Sequence, residues 1–273
     1  ADLTMAAKRL IDSKSFDNSI LCTNESCAIV EERAADAFEK ELGRHGGLVL
    51  APEDVDAVRA TVYPEGRMRL DLVGKDARTL AREAGIRAPA GTRVLVAPFS
   101  LVVPEEPLAR EKLFPLLGLV RVPDARRGID AARAMLRIGG AGHSAAIHSR
   151  DPRTVMAYGA AVQVLRVSVN VGASTGSAGI GTNLAPSMTV GTGFFGRSSL
   201  AENLEPRHLI NVTRVAYASD PSEPFGDFGD LQPWNVVPRT KPVPASDSPV
   251  DVQLAREEIR RVVLEELREL VRR

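Results

Sequence analysis

The residues best suited to chemistry are two cysteines, Cys22 and Cys27, because a thiolate is a strong nucleophile. Cys22 lies in a polar segment that we predict to join two helices, so that the N-terminus of the following helix would lower its thiol pKa. Cys27 lies in the apolar run of residues 27–30 and is predicted to belong to the core. Position therefore favours Cys22 as a nucleophile. The alternative is that Cys22 is a small buried core residue with no role in chemistry.

Two glycine-rich segments follow in the second half of the chain. Residues 171–181 (VGASTGSAGIG) come directly after a predicted strand, where Gly172 and Gly176 would allow the backbone to approach a phosphate or a cofactor thiol closely. The segment lacks the lysine of a P-loop. Residues 191–196 (GTGFFG) match the dinucleotide-binding fingerprint letter by letter, but no long helix is predicted to open there, so we discount this match.

Among the four histidines, only His143 lies between glycines, in the segment GAGHS at residues 140–144, where its side chain could reach a site. The other three, His45, His148 and His208, are scattered and are interpreted as structural. The cysteines have no neighbouring pair of histidines, so we predict no metal site.

The elements that must position these residues alternate along the chain. Helices are predicted for residues 31–43, 53–60, 76–84 and 125–136, and strands for residues 48–51, 94–97, 117–122, 144–148, 166–171 and 211–217. Short apolar strands between helices are typical of an α/β fold with a mostly parallel sheet.

Composition excludes several classes of protein. The chain has 273 residues, with 35 Lys and Arg against 35 Asp and Glu, so it lacks the basic excess expected for binding nucleic acid or an anionic membrane surface. No apolar run reaches the roughly 20 residues of a membrane-spanning helix, and the first ten residues do not form a signal peptide. Two cysteines so close together cannot make a disulfide framework. We therefore expect a reduced, cytoplasmic protein, and zero net charge suits one that assembles.

The C-terminal part differs in composition from the rest. Residues 219–249 are rich in proline and are predicted to be a flexible linker. Ser248, Pro249 and Asp251 then form the start signal of an amphipathic helix over residues 250–273. Its apolar stripe consists of Ala255, Ile259, Val262, Val263, Leu267, Leu270 and Val271. The helix either docks on its own domain or is a tethered docking peptide for a partner.

Six segments together resemble the CoA-acylating aldehyde dehydrogenases. They are residues 15–22 (SFDNSILC), 111–117 (EKLFPLL), 140–144 (GAGHS), 166–170 (RVSVN), 184–191 (LAPSMTVG) and 202–211 (ENLEPRHLIN), in the same order as in that family. The first resembles the catalytic-cysteine segment and the second resembles the glutamate-containing strand that follows it. The resemblance covers residues 1–218.

The resemblance implies an oxidoreductase that converts an aldehyde, CoA and NAD to acyl-CoA and NADH through a cysteine thioester. Cys22 would be the nucleophile and its backbone N–H one oxyanion donor, while His143 would lie near the acyl-enzyme. Glu111 would hold the nicotinamide ribose. The loops Gly172–Gly181, which includes Gly176, and Pro186–Thr189 would shape the mouth of the pocket.

The family also implies an architecture. Residues 1–218 would be a three-layer α/β catalytic domain whose late strand, 211–218, pairs across subunits of a homo-oligomer. In the family a nucleotide-binding domain precedes the cysteine, so we expect this polypeptide alone not to bind NAD productively. Microcompartment-associated members carry a linker and an amphipathic peptide, and residues 250–273 would by this likeness target a shell protein inside a bacterial microcompartment.

Two alternatives stay open at this stage. The chain could come from a non-acylating, NAD(P)-dependent aldehyde dehydrogenase, in which water instead of CoA takes the acyl group. It could also be a non-catalytic assembly module that keeps the fold.

Overall fold

A computed structural model describes residues 1–220, 222, 260 and 261. The chain divides into two units, residues 1–212 and residues 213–273. The first unit contains the helices α1 (Leu3–Ser15), α2 (Glu32–Arg44), α3 (Pro52–Val62), α4 (Ala77–Glu83), α5 (Ala125–Gly139), α6 (Pro152–Ala161) and α7 (Ala173–Ser177). It also contains the strands β1 (Cys27–Glu31), β2 (Gly47–Val49), β3 (Val94–Pro98), β4 (Leu116–Val122), β5 (Gly142–Ile147) and β6 (Val164–Val169).

The six strands form two parallel sheets. One sheet has four strands in the order β1-β4-β3-β2, and the other consists of β5 and β6. Cys27 lies opposite Gly118 in the β1–β4 pair, and Val96 lies opposite Leu117 in the β3–β4 pair. β1 and β5 are therefore edge strands of different sheets among the described residues.

Helices cover both faces of the four-stranded sheet. α1 and α2 pack on one face, where Val94 and Val96 of β3 join a cluster with Leu117. α3 and α4 pack on the other face, against Leu95 and Ala97 of the same strand. Because successive side chains of a strand point to opposite faces, β3 is buried on both and is apolar throughout. The predicted three-layer α/β fold with a mostly parallel sheet is confirmed.

Aspartates fix where several helices begin. Asp2 accepts a hydrogen bond from the Met5 amide at the start of α1, and Asp124 caps α5 through the Arg127 amide. These side chains satisfy amides that have no partner within the first turn of the helix. The predicted helices and strands between residues 31 and 171 are all present, with bounds shifted by a few residues at most.

Three sequence predictions of local structure were wrong. Cys22 is followed by strand β1 and not by a helix, because the apolar run from Cys27 pairs with β4. Glu111 lies in a loop and not on a strand, since Pro115 has no amide to donate and β4 begins only at Leu116. Residues 211–217 form no strand in the single chain, where they are exposed; pairing across subunits stays a prediction.

The described residues of the second unit are few. Residues 213–220 are exposed and belong to no helix or strand, and Arg260 and Arg261 are helical. Apart from residues 219, 220, 222, 260 and 261, the predicted linker 219–249 and helix 250–273 lie outside the described residues. None of the described helices combines the length and apolar character needed to cross a bilayer.

Candidate active site

A cleft of about 1400 Å³ lies in the first unit and gathers the predicted reactive side chains. Cys22, Glu111 and His143 all line it, although they come from three distant segments of the chain. The edge strands β1 and β5 and helix α5 form its walls. The structure therefore brings together the three residues that sequence analysis had placed at the reacting centre.

Cys22 stands in an exposed turn between α1 and β1. The turn follows a tight bend in which Asp17, Asn18 and Ser19 all have positive φ, a costly conformation that the surrounding contacts must hold. Partial burial raises the pKa of the Cys22 thiol, and Glu111 raises it further, while Arg166 lowers it. The predicted lowering by a helix N-terminus is therefore wrong, because no helix starts behind this residue.

Glu25, three residues after Cys22, anchors the turn to its surroundings. Its carboxylate accepts hydrogen bonds from the Ser13 hydroxyl at 2.6 Å and from the Ala173 amide at 2.7 Å. The buried Asn24 donates to the carbonyl of Ser13. These hydrogen bonds connect the turn that carries Cys22 to the C-terminal end of α1 and to the start of α7.

The loop that carries Glu111 is held by side chains that bind its backbone carbonyls. Lys112 Nζ is buried and donates to the carbonyls of Leu108 at 2.6 Å and Arg110 at 2.7 Å. The Tyr63 hydroxyl donates to the carbonyl of Glu111 at 2.9 Å. Because the carbonyls are satisfied in this way, the loop keeps a fixed shape without a strand ladder.

A second buried lysine joins helix α1 to the loop that carries Glu111. Lys14 Nζ, on the last turn of α1, donates to the carbonyl of Lys112 at 3.0 Å. Burial and repulsion from Lys112 lower the pKa of Lys14 to about 7, and burial lowers the pKa of Lys112. Burial raises the pKa of Glu25, against its hydrogen bond from Ser13 and the attraction of Lys14. A set of buried charges thus lies behind the cleft.

Cys27 has the structural role that the sequence predicted. It is partly buried at the start of β1, its thiol donates to the carbonyl of Leu108 at 3.2 Å, and Lys112 Nζ lies 3.7 Å from its sulfur. Its thiol is therefore engaged in the packing of the Glu111 loop.

His143 lies at the start of β5, and its side chain is partly buried. Its Nδ1 is 2.9 Å from the hydroxyl of Ser144, and its carbonyl accepts a hydrogen bond from Arg166 at 3.0 Å. Burial lowers the pKa of His143, and the positive charge of Arg166 lowers it further. A neutral imidazole that lines the same cleft as Cys22 has a ring nitrogen that can accept a proton near neutral pH.

Gly172, Gly176 and Pro186 are not among the residues that line the cleft. A Cβ at Gly172 would lie 2.6 Å from the Ser13 Cβ, and one at Gly176 would lie 2.8 Å from a Val171 methyl. Both glycines are thus required by close packing of α7. Pro186 is exposed in the loop after α7. A role of these three residues in binding a cofactor stays a prediction.

One group of described residues has the side chains of a metal site: Glu202, Glu205 and His208. Arg207 already bridges the two carboxylates, at 2.6 Å from Glu202 and 2.5 Å from Glu205. His208 accepts a hydrogen bond from the Glu205 amide through Nδ1. The carboxylates are neutralised internally, so this group fits a capped surface turn.

The buried cations Lys14, Lys112 and Arg166 and the partly buried Glu25 were not predicted from the sequence. Lys14 follows Leu10 and Ile11 at helical spacing, which places it on the buried face of α1 and could have identified it. Arg166 and Ser168 alternate along β6 on its buried side. Lys112 and Glu25 lie in loops, where sequence periodicity gives no signal.

The fold and the cleft define a class: an α/β protein with a cysteine, a carboxylate and a histidine lining one cavity. No family model matches the chain. It is 33% identical over 221 residues to the bifunctional aldehyde-alcohol dehydrogenase AdhE of Escherichia coli K12, covering 79% of this chain and 25% of that protein. It is 30% identical over 217 residues to the succinate-semialdehyde dehydrogenase (acetylating) of Clostridium kluyveri, covering 79% of this chain and 48% of that protein.

The solved structures that resemble this chain are also aldehyde dehydrogenases. The acetylating aldehyde dehydrogenase of Geobacillus thermoglucosidasius superimposes with a TM-score of 0.77 at 32% identity, over 80% of this chain and 48% of that one. A propionaldehyde dehydrogenase from the Clostridium phytofermentans fucose utilisation bacterial microcompartment matches with a TM-score of 0.65 at 25% identity, over 74% of this chain and 45% of that one. The chain has the fold of the acetylating aldehyde dehydrogenases and spans between a quarter and half of the length of these relatives.

Proposed function

We propose that this chain is the cysteine-bearing catalytic portion of a CoA-acylating aldehyde dehydrogenase. The observation that carries the proposal is that Cys22, Glu111 and His143 line one cleft of a fold shared with acetylating enzymes. The substrates are an aldehyde and CoA, with NAD as the hydride acceptor.

The side chains have distinct roles in this reaction. The Cys22 thiolate attacks the aldehyde carbonyl, and its backbone N–H donates to the developing oxyanion. Loss of hydride from the tetrahedral adduct leaves a thioester on Cys22. His143, neutral because of burial and Arg166, accepts the proton of the incoming CoA thiol, which then takes the acyl group and frees the Cys22 sulfur.

The Glu111 carboxylate is exposed at the cleft on a rigid loop, which fits a residue that accepts hydrogen bonds from ribose hydroxyls. NAD, when bound, supplies the hydride acceptor. The rest of a nucleotide site is proposed to lie on the part of the enzyme that this chain does not span, given that the matched residues cover 48% of the acetylating relative of Clostridium kluyveri.

The experiment that tests this proposal is a product assay with the 273-residue chain, an aldehyde, CoA and NAD. The chain alone should form no acyl-CoA, and activity should appear when the remaining portion of the enzyme is joined to it. Acyl-CoA formed by the pure chain, or a free acid formed by the completed enzyme, would contradict the proposal. The free acid is the outcome of the non-acylating alternative.

Assembly is a second part of the proposal. Residues 211–218 pair across subunits of a homo-oligomer, which is supported by their exposed apolar side chains, including Val212 and Val215. Residues 250–273 dock on a microcompartment shell protein, supported by their amphipathic pattern and by the microcompartment origin of one structural neighbour. Fusing residues 245–273 to a fluorescent protein and co-expressing it with shell proteins tests the second point: puncta are expected, and diffuse fluorescence contradicts it.

A further inference from the structure

Arg166 is a buried cation whose hydrogen bonds all go to neutral acceptors. It is 3% exposed and donates to Asn203 Oδ1 at 2.6 Å, to the carbonyl of His143 at 3.0 Å and to the carbonyl of Gly191 at 2.6 Å. No ion pair among the described residues includes it. Burying a charge without a counter-charge is costly, so a neutral side chain would be favoured here if packing were the only requirement.

The guanidinium lies directly behind the wall of the catalytic cleft. Two of its three acceptors belong to this wall or adjoin it: His143 lines the cleft, and Gly191 precedes the lining residue Thr192. The third acceptor, Asn203, is itself fixed, since its amide donates to the carbonyls of Ser177 at 2.9 Å and Ala185 at 2.7 Å. The position of the charge is therefore set by a rigid clamp.

Several groups that line this cleft can be anionic, including the carboxylates of Glu25 and Glu111 and the Cys22 thiol. The thiol is the one on which Arg166 acts. Arg166 lowers the pKa of Cys22, opposing the burial and the Glu111 charge that raise it, and the thiolate in turn opposes the lowering of the Arg166 pKa by burial. The titratable groups that line the cleft with the thiol include Glu25 on its own loop, Glu111, and His143 on β5, and Lys14 on α1 acts on Glu25.

We propose that Arg166 is an electrostatic positioning residue that keeps Cys22 reactive by acting as the buried counter-charge of its thiolate, without touching the substrate. It takes the place of the helix N-terminus that is absent behind Cys22. This role of Arg166 rests on the proposed function, in which Cys22 is the catalytic thiol. Its test measures the reactivity of that thiol directly and does not require catalytic turnover.

The test is the rate of Cys22 alkylation by iodoacetamide on the 273-residue chain, followed by peptide mass spectrometry from about pH 6 to about pH 10. Arg166→Met should raise the apparent pKa of Cys22. If it raises it by about one unit, alkylation at neutral pH slows about threefold, because a tenfold loss of thiolate is partly offset by its greater nucleophilicity. Arg166→Lys keeps the positive charge, so it should raise the apparent pKa of Cys22 less than Arg166→Met does.

A matched pair at Asn203 separates charge from packing, even where Arg166→Met does not fold. Asn203→Asp and Asn203→Ala both lose the amide donor, but only the first neutralises Arg166 in place. Asn203→Asp should shift the pH profile of Cys22 alkylation to higher pH, as Arg166→Met does. Asn203→Ala should leave this profile near that of the parent chain. Equal profiles for these two variants, or an unshifted profile for a folded Arg166→Met, overturn the proposal. Shifted profiles in these variants together with a parent chain that exchanges no acyl group with CoA would instead count against the proposed function alone.

Discussion

At the scale of single residues, the candidate nucleophile Cys22 could be selected from the sequence, but the charged groups near the cleft could not. Cys22 could be separated from Cys27 because one lies in a polar segment and the other in an apolar run. The charges that tune the site, Lys14, Glu25 and Arg166, come from segments up to about 150 residues apart in sequence. Their contacts depend on tertiary packing, which no local pattern encodes. The cause predicted for the Cys22 pKa was thus wrong, and its role as nucleophile stays a prediction.

Lys14 makes stability depend on pH in a defined window. Its pKa is about 7 in the folded protein and 10.5 as a free side chain, so between these values the unfolded chain binds more protons. Stability therefore rises with pH above about 7 and is lost as pH falls towards 7. Replacing Lys14 by Met removes this dependence.

From pH 7 to pH 9, we expect the unfolding free energy of the parent chain to rise by roughly 2 kcal/mol more than that of Lys14→Met. Urea unfolding at both pH values measures it. Lys8→Met, on the exposed side of the same helix, serves as the control. A parallel pH dependence in the parent and Lys14→Met would show that Lys14 stays charged throughout.

At the scale of elements, periodicity predicted most helices and strands between residues 31 and 171. It succeeded because β3 and β4 are apolar on both faces and the helices have clear caps. The strand that the family resemblance implied at residues 111–117 was wrong, because Pro115 has no amide to donate and β4 begins only at Leu116. The interpretation of the glycine-rich residues 171–181 as a ligand loop stays a prediction, and the structure adds that Gly172 and Gly176 are closely packed.

Packing at Gly172 gives a direct prediction. Gly172→Ala would place a methyl group 2.6 Å from Ser13 Cβ and 3.0 Å from the carbonyl of Arg9, so it should destabilise the fold by about 1–3 kcal/mol. Gly159→Ala, in α6 with open space around it, should be neutral or stabilising by up to about 1 kcal/mol.

Thermal unfolding of the two variants measures this difference. Because Ser13 also holds Glu25, Gly172→Ala should in addition change the rate of Cys22 alkylation, and Gly159→Ala should not. Equal stability of the two variants would contradict a packing role and favour the ligand-loop interpretation.

At the scale of the whole molecule, the chain is described as one α/β unit over residues 1–212, with a cleft open between β1 and β5. Neither composition nor periodicity predicted that cleft, because it is formed by the arrangement of two separate sheets. The resemblance of six short segments predicted the family, since their order along the chain reflects a shared fold.

Oligomer formation is testable through residues 211–218. Val215→Pro removes a backbone donor from the strand that we propose to pair across subunits, so the variant should have a lower molar mass by light scattering than the parent chain. Ser219→Pro, just outside this segment, should keep the mass of the parent. A monomeric parent chain, or an oligomer that survives Val215→Pro, would contradict pairing through this segment.

The central claim is that Cys22 carries an acyl group which it exchanges with CoA. This half-reaction needs no hydride transfer, so it can be measured by incubating the chain with radiolabelled acetyl-CoA, quenching in acid and mapping the label by peptide mass spectrometry. We predict label on Cys22, its removal by added CoA, and its absence in Cys22→Ser but not in Cys27→Ser. A chain that carries no label at Cys22, or as much at Cys27, would contradict the account.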